Sequence, residues 1–396
     1  MNLRSIKEIK NIRGKRVLVR VDFNIPLEHG KLADDTRIKA AAPTIKWLVE
    51  KGAKVILMSH FGQPRKKGLR NKDKGLSMIV ERLGKLLKRD VKLIEEWDFA
   101  TIGKTVKKMK AGQVFMLPNL RLHPGEEKNN EAFAKELANL GQIYVNEAFS
   151  VCHREHASIV GVPKFLPRYA GVRLIEEVET LGRVLHEARL PLIVLIGGAK
   201  ITDKIAMIKT MTDKASAILV GGALANHFFK AQGYQIGASV VDPKGVKIAK
   251  TLLKNKKIIL PRDVVVGTKD GKVAKVAEVT NESKALCFKP YAILDIGPKT
   301  ILRFSHFIKT AQTLVWNGPM GLYEVKRFSH GTVALGRLFA ARSKGIAFGV
   351  AGGGETIDAL KKTGMAQYVD FISTGGGAML EYLGGEELPG IKELSY

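Results

Sequence analysis

The sequence predicts an α/β protein built from two doubly wound, Rossmann-like parallel-sheet domains in series. Three observations predict it. Short apolar runs alternate with amphipathic helical patterns along most of the chain, as strand–helix–strand crossovers in a parallel sheet require. The runs of the first half end in Asp, Asn, His and Arg, whereas those of the second half end in glycine-rich turns, so the two halves carry different chemistry. The 396 residues are enough for two or three well-buried cores.

In order, the first strand runs over Arg16–Val21 and ends in Asp22-Phe23-Asn24. Asp34-Asp35-Thr36-Arg37 opens a helical pattern over Arg37–Lys51, and Lys54–Met58 then ends in Ser59-His60-Phe61-Gly62. After a helix over Gly75–Lys88, the strand Gln113–Leu117 ends in Pro118-Asn119-Leu120-Arg121. A helix over Glu131–Leu140 leads into Ile143–Val145, which ends in Asn146-Glu147-Ala148. Leu174–Leu181 reads as an amphipathic helix that Arg189-Leu190-Pro191 brings to an end, which places a stiff connector at 173–190. The expected domains are therefore 1–172 and 191–384, with the tail 385–396 returning to the first.

Five strand-like runs of the second half tip directly from glycine into a helical pattern. Leu192–Ile196 leads into Gly197-Gly198-Ala199-Lys200, Ala217–Val220 into Gly221-Gly222, and Thr313–Trp316 into Asn317-Gly318-Pro319. Ile346–Val350 leads into Gly352-Gly353-Gly354-Glu355-Thr356, and Phe371–Ser373 into Gly375-Gly376-Gly377. A parallel sheet gathers its strand C-termini along one edge. Glycines there let backbone N–H groups close on a phosphate chain or a flat base, so the pattern predicts a nucleotide site.

Composition narrows the class. Apolar residues make up 45% and charged residues 26%, ordinary for a soluble globular chain. Met1–Lys7 lacks the apolar core of a signal peptide, and the two cysteines, Cys152 and Cys287, form no disulfide framework, so a reducing cytoplasm is expected. The net charge of +27 leaves two readings open: a basic crevice for polyanionic metabolites, or a basic exterior for nucleic acid or anionic membrane. The cations are scattered rather than gathered in one arm, and no RNA-recognition or zinc-finger pattern accompanies them.

Neither a Walker A motif nor a strict Gly-x-Gly-x-x-Gly occurs. Instead, Lys200 and Lys204 are expected on one face at a helix start, where an anion would relieve their repulsion. Glu355 offers a hard oxygen ligand for Mg2+ and Thr356 a hydroxyl for phosphate, although both residues also suit helix capping. Gly318–Glu324 offers an apolar wall for a base, with Glu324 accepting from ribose hydroxyls. In the first half, His60, Arg121 and Arg154 each follow a strand, and guanidinium forks suit carboxylates and phosphates. His153 and His156 lack the order of a zinc motif.

Taken together, these segments resemble the signatures of the phosphoglycerate kinase family. Arg20–Pro26, Asp35–Ile38, Ser59–Gly62, Asn119–Arg121 and His153–Ser158 match its N-terminal domain. Gly197–Lys204, Val315–Pro319, Gly352–Thr356 and Ser373–Gly377 match its C-terminal domain, in order. The resemblance implies reversible phosphoryl transfer between 1,3-bisphosphoglycerate and Mg-ADP, in glycolysis or gluconeogenesis, by a monomer. It implies that Asp22, Asn24, Arg37, His60, Arg121 and Arg154 hold the phosphoglycerate. Lys200, Lys204, Asn317, Glu324, Gly352, Gly353, Gly354, Glu355 and Thr356 would serve the nucleotide, with Glu355 toward its Mg2+. Gly197, Gly198, Gly221, Gly222 and Leu322 would form the adenine slot, and Arg37 and Lys200 would flank the moving phosphoryl group. Two departures stand out: Gln63 replaces a family arginine, for which Arg65 is a candidate substitute, and Glu355 replaces the common aspartate. Two rivals are a basic polyanion-binding protein on the same fold and a two-domain kinase for another small carboxylate.

Overall fold

The computed structural model describes residues 3–62 and 74–395. It contains two compact units, Met1–Glu179 with Glu387–Tyr396, and Thr180–Glu386.

The first unit is built on a parallel sheet of six strands: β1 (Arg16–Arg20), β2 (Lys54–Met58), β3 (Val91–Leu93), β4 (Val114–Met116), β5 (Ile143–Asn146) and β6 (Arg168–Ala170). Their order across the sheet is β3-β4-β2-β1-β5-β6. Val17, Leu18 and Val19 of β1 are wholly buried, so both faces of this central strand are covered and its sequence reads as a continuous apolar run rather than an alternation. Helices α1 (Thr36–Glu50), α2 (Lys74–Leu87), α3 (Phe99–Lys107) and α4 (Glu131–Asn139) make the connections. Asp98 and Asn130 cap α3 and α4 by accepting first-turn N–H groups. The chain fills the sheet on one side of β1 and then returns to the other, which makes the β1/β5 boundary a topological switch point, where crevices open beyond strand C-termini.

Helix α5 (Val172–His186) is longer than the expected Leu174–Leu181 and stops short of Arg189-Leu190-Pro191. The tail is anchored on the first unit: Gly390 N–H donates to the Cys152 carbonyl at 2.8 Å, and Leu388, Ile391 and Leu394 are buried.

The second unit repeats the plan with β7 (Leu192–Ile196), β8 (Ala217–Val220), β9 (Ile258–Ile259), β13 (Thr313–Asn317), β14 (Phe348–Gly352) and β15 (Phe371–Ser373), ordered β9-β8-β7-β13-β14-β15. Its switch point falls between β7 and β13. Helices α6 (Ile205–Lys214), α7 (Gly222–Ala231), α8 (Pro243–Leu252), α9 (Pro298–Thr310), α10 (His330–Ser343), α11 (Gly354–Lys362) and α12 (Gly377–Leu383) complete the unit. One feature absent from the sequence reading is an antiparallel sheet of β10 (Asp263–Gly267), β11 (Ala274–Glu278) and β12 (Ala292–Ile296), with β10 in the centre. Strand β11 is largely exposed and carries no clean apolar alternation, so its periodicity gave no signal. Among the described residues, no helix is long and apolar enough to cross a membrane.

Candidate active site

In the first unit the strand ends deliver a cluster of cations. Asp22, just beyond β1, accepts from Arg37 of α1 and from the Ser150 hydroxyl. Asn24 accepts the Gly62 N–H at 2.8 Å, and Arg121 Nη1 donates to the Gly62 carbonyl at 2.6 Å, so the loops after β1, β2 and β4 close on one another. His60 is buried beside Arg20, whose Nη2 lies 3.2 Å from its Nδ1. Arg154 donates from Nε to His153 at 3.2 Å.

Electrostatics reports the same crowding. Burial, then the neighbouring Arg20, Arg121, Arg154 and Arg37, holds the His60 imidazole well below its ordinary range. Burial and then Arg154 lower Arg121 to about 10, and burial together with Arg20, Arg154 and Arg121 lowers His156 to about 4. So many guanidinium groups around neutral imidazoles suit an anion of several charges. All six residues expected to hold the phosphoglycerate stand at the C-terminal edge of this sheet. Gln63 and Arg65 lie outside the described residues.

In the second unit, Lys204 and Asn317 form the centre. Lys204 Nζ donates to Asn317 Oδ1, and Asn317 Nδ2 donates to the Gly352 carbonyl at 2.9 Å. The Gly318 N–H donates to Thr356 Oγ at 2.7 Å, which ties the β13 turn to the start of α11. Burial lowers the Lys204 ammonium to about 8, against the opposing pull of Glu355 and Asp203. Two expectations need correction. Lys200 and Lys204 do not share a helix face: Thr202–Lys204 is a 3-10 turn, α6 starts at Ile205, and Lys200 stands exposed in the preceding loop while Lys204 is buried.

The second correction concerns the glycines. Gly197 donates to the Asn317 carbonyl, Gly198 to Pro319, Gly221 to Ile196 and Gly222 to Met320, at 2.9–3.0 Å, so these N–H groups are used within the protein. Their role is close approach. A Cβ on Gly197 would stand 2.0 Å from the Pro319 carbonyl oxygen, and one on Gly222, where φ is +58°, 2.6 Å from that same oxygen. The N–H groups at Gly354, Glu355 and Thr356 are different: they begin α11, where the helix supplies no acceptors and Gly353 offers no side-chain cap. That helix start offers the kind of uncapped N–H groups on which anions bind.

Beside it lies a cavity of about 250 Å3, lined among others by Gly198, Gly222, Asn226, Val264, Leu322 and Glu324. Its mixed apolar and polar wall suits a base with its ribose. Asn226, Val264 and Lys269 line it and were missed in the sequence, since Val264 belongs to the unpredicted antiparallel sheet, Lys269 to the turn between its strands β10 and β11, and Asn226 to α7.

A family model for phosphoglycerate kinase matches residues 6–386. The chain belongs to the phosphoglycerate kinase family. The phosphoglycerate kinase of Moorella thermoacetica is 42% identical over 99% of this chain and 98% of its own, and that of Chloroflexus aggregans 43% over 100% and 99%. Among solved structures, the phosphoglycerate kinase of Pyrococcus horikoshii OT3 is 32% identical with a TM-score of 0.87, covering 99% of this chain and 98% of its own. That of Coxiella burnetii is 36% identical with a TM-score of 0.83, covering 99% of each.

A kinase of this family uses ADP and ATP, for which Mg2+ is the usual companion. The donor set fits a nucleotide-borne ion. Mg2+ characteristically takes one or two carboxylates together with phosphates and water. Glu355, exposed at the start of α11, is the carboxylate in place; its Oε2 lies 3.6 Å from where a Cβ of Gly198 would be.

Proposed function

We infer that the chain catalyses reversible transfer of the acyl phosphate of 1,3-bisphosphoglycerate to ADP, giving 3-phosphoglycerate and ATP, as its family does. The observation that carries this reading is a pair of unlike strand-end sites, one cationic and one glycine-lined, in a chain that the family model matches almost throughout. We assign Asp22, Asn24, Arg37, His60, Arg121 and Arg154 to the phosphoglycerate. Lys204, Asn317, Glu355, Thr356 and the glycine turns we assign to the nucleotide, with Leu322 and Glu324 toward base and ribose. In the direction of ATP formation, a β-phosphate oxygen of ADP bonds to the acyl phosphorus as the bond to the carboxyl oxygen breaks, leaving a carboxylate.

Such transfers proceed through a loose transition state, so the protein positions and neutralises and needs no covalent intermediate. Arg37 and Lys200 are the groups we place beside the moving phosphoryl. When bound with the nucleotide, Mg2+ would neutralise phosphate charge, with Glu355 as its protein ligand. Residues 173–190 are proposed as the hinge that lets the domains 1–172 (with 385–396) and 191–384 bring both substrates together out of water. A monomer in the cytoplasm fits this reading. A coupled assay supplying 1,3-bisphosphoglycerate and Mg-ADP tests it: ATP must appear, and other small acyl phosphates must serve far less well. Equal turnover with an unrelated acyl phosphate would favour the kinase of another carboxylate.

A further inference from the structure

We propose that Arg20 is a positioning residue that locks the His60 ring with its proton on Nε2, fixing it as a hydrogen-bond donor toward an acceptor oxygen of the substrate. The proposal rests on the reading of His60 as a phosphoglycerate ligand. Arg20 closes β1 and is wholly buried, so it cannot itself reach a ligand in solvent. Each arm of its guanidinium is committed: Nε donates to Ser158 Oγ at 2.8 Å, Nη1 to the Val21 carbonyl, and Nη2 points at His60 Nδ1 across 3.2 Å. Behind it, the Ser158 hydroxyl donates to the buried Glu126 at 2.6 Å, and the Tyr144 hydroxyl to the Ser158 carbonyl at 2.8 Å. The fork therefore cannot rotate without breaking buried hydrogen bonds.

A guanidinium has donors only, so the contact requires a lone pair on Nδ1. The one proton of a neutral imidazole must then sit on Nε2. A second proton is opposed on every side, because Arg20 from β1, Arg37 from α1, Arg121 after β4 and Arg154 after β5 all face the ring with positive charge. Of the carboxylates among them, Glu126 accepts from Ser158, and Asp22 accepts from Arg37 and Ser150. His60 is thus an uncharged, directional donor beside the guanidinium charges, suited to a carboxylate or hydroxyl oxygen rather than to a phosphate.

The test is 15N-resolved spectroscopy of the His60 ring in the full chain, assigned by difference with His60→Gln. The expected spectrum shows an Nε2–H ring that stays neutral at pH 7 and resists protonation through the ordinary imidazole range. In Arg20→Met the tautomers should mix, and KM for 3-phosphoglycerate should rise about 10-fold with kcat little changed. Arg20→Lys keeps a donor for Nδ1 and should restore the Nε2–H form. A wild-type ring protonated on Nδ1, or doubly protonated at pH 7, overturns the proposal even if Arg20→Met does not fold. The tautomer is read without substrate, so the lock stands or falls on that spectrum alone. Failure of the phosphoglycerate reading would show instead as a His60 signal unmoved by 3-phosphoglycerate.

Discussion

At the scale of single residues, burial decides what each cation can do. Lys204 is buried and bound to Asn317, and its ammonium is lowered to about 8. It is charged at pH 7 and loses its proton as pH rises through 8, so the nucleotide KM should climb above pH 8. Lys204→Arg, which keeps its charge there, should flatten that rise; a KM independent of pH in the wild type would remove Lys204 from nucleotide binding. Lys200 is exposed and Arg37 is about one-third exposed while held by Asp22. Both assignments are tested by truncation. Arg37→Ala and Lys200→Ala should each lower kcat by about 10²–10³, the loss seen when a donor to developing charge is removed. Near-normal turnover in both would refute them.

At the scale of elements, a junction between strand and helix carries a pH dependence of stability. Glu147, just past β5, is buried against the start of α5, where its Oε1 accepts the Arg173 N–H at 3.0 Å. Burial raises its carboxyl to about 8, against partial compensation from hydrogen bonds, so the folded chain holds it neutral at pH 7. The unfolded chain releases that proton near pH 4.5. Between those two values the folded state binds more protons, and stability falls as pH rises. Glu147→Gln should abolish that slope and gain on the order of a few kcal/mol at pH 8, as read by denaturant unfolding at pH 5 and pH 8. An unchanged slope would show that Glu147 is already ionised in the fold. At the glycine turns the constraint is steric. The Pro319 carbonyl is approached so closely by Gly197 and Gly222 that the three loops form one backbone platform under the cavity.

At the scale of the whole molecule, the charge of +27 is the property least explained by the site. The cationic cluster of the first unit accounts for a few charges, and the rest lie scattered. We expect weak duplex-DNA binding at 50 mM salt that is lost by about 200 mM, because each released counterion steepens the salt dependence. Phosphoryl transfer should persist across that range. DNA binding that survives 200 mM salt in a chain without turnover would instead favour the polyanion-binding reading.

By itself the sequence determined the two sheets, the strand edges at which polar and glycine-rich turns gather, and the family. Those follow from local signals: apolar runs of strand length, helical periodicity, and residues such as Asp22, Asn24, Lys204 and Gly352–Thr356 placed just past the runs. Only tertiary structure decided which groups meet. That Lys204 turns inward to Asn317 while Lys200 faces solvent depends on a 3-10 turn between them. That the glycines pack backbone against backbone depends on β7 and β13 being neighbours. The antiparallel sheet and the contact of Arg20 with His60 were equally hidden. Periodicity reports which face of an element is buried, whereas a partner forty residues away is set by strand order, and burial then sets its charge.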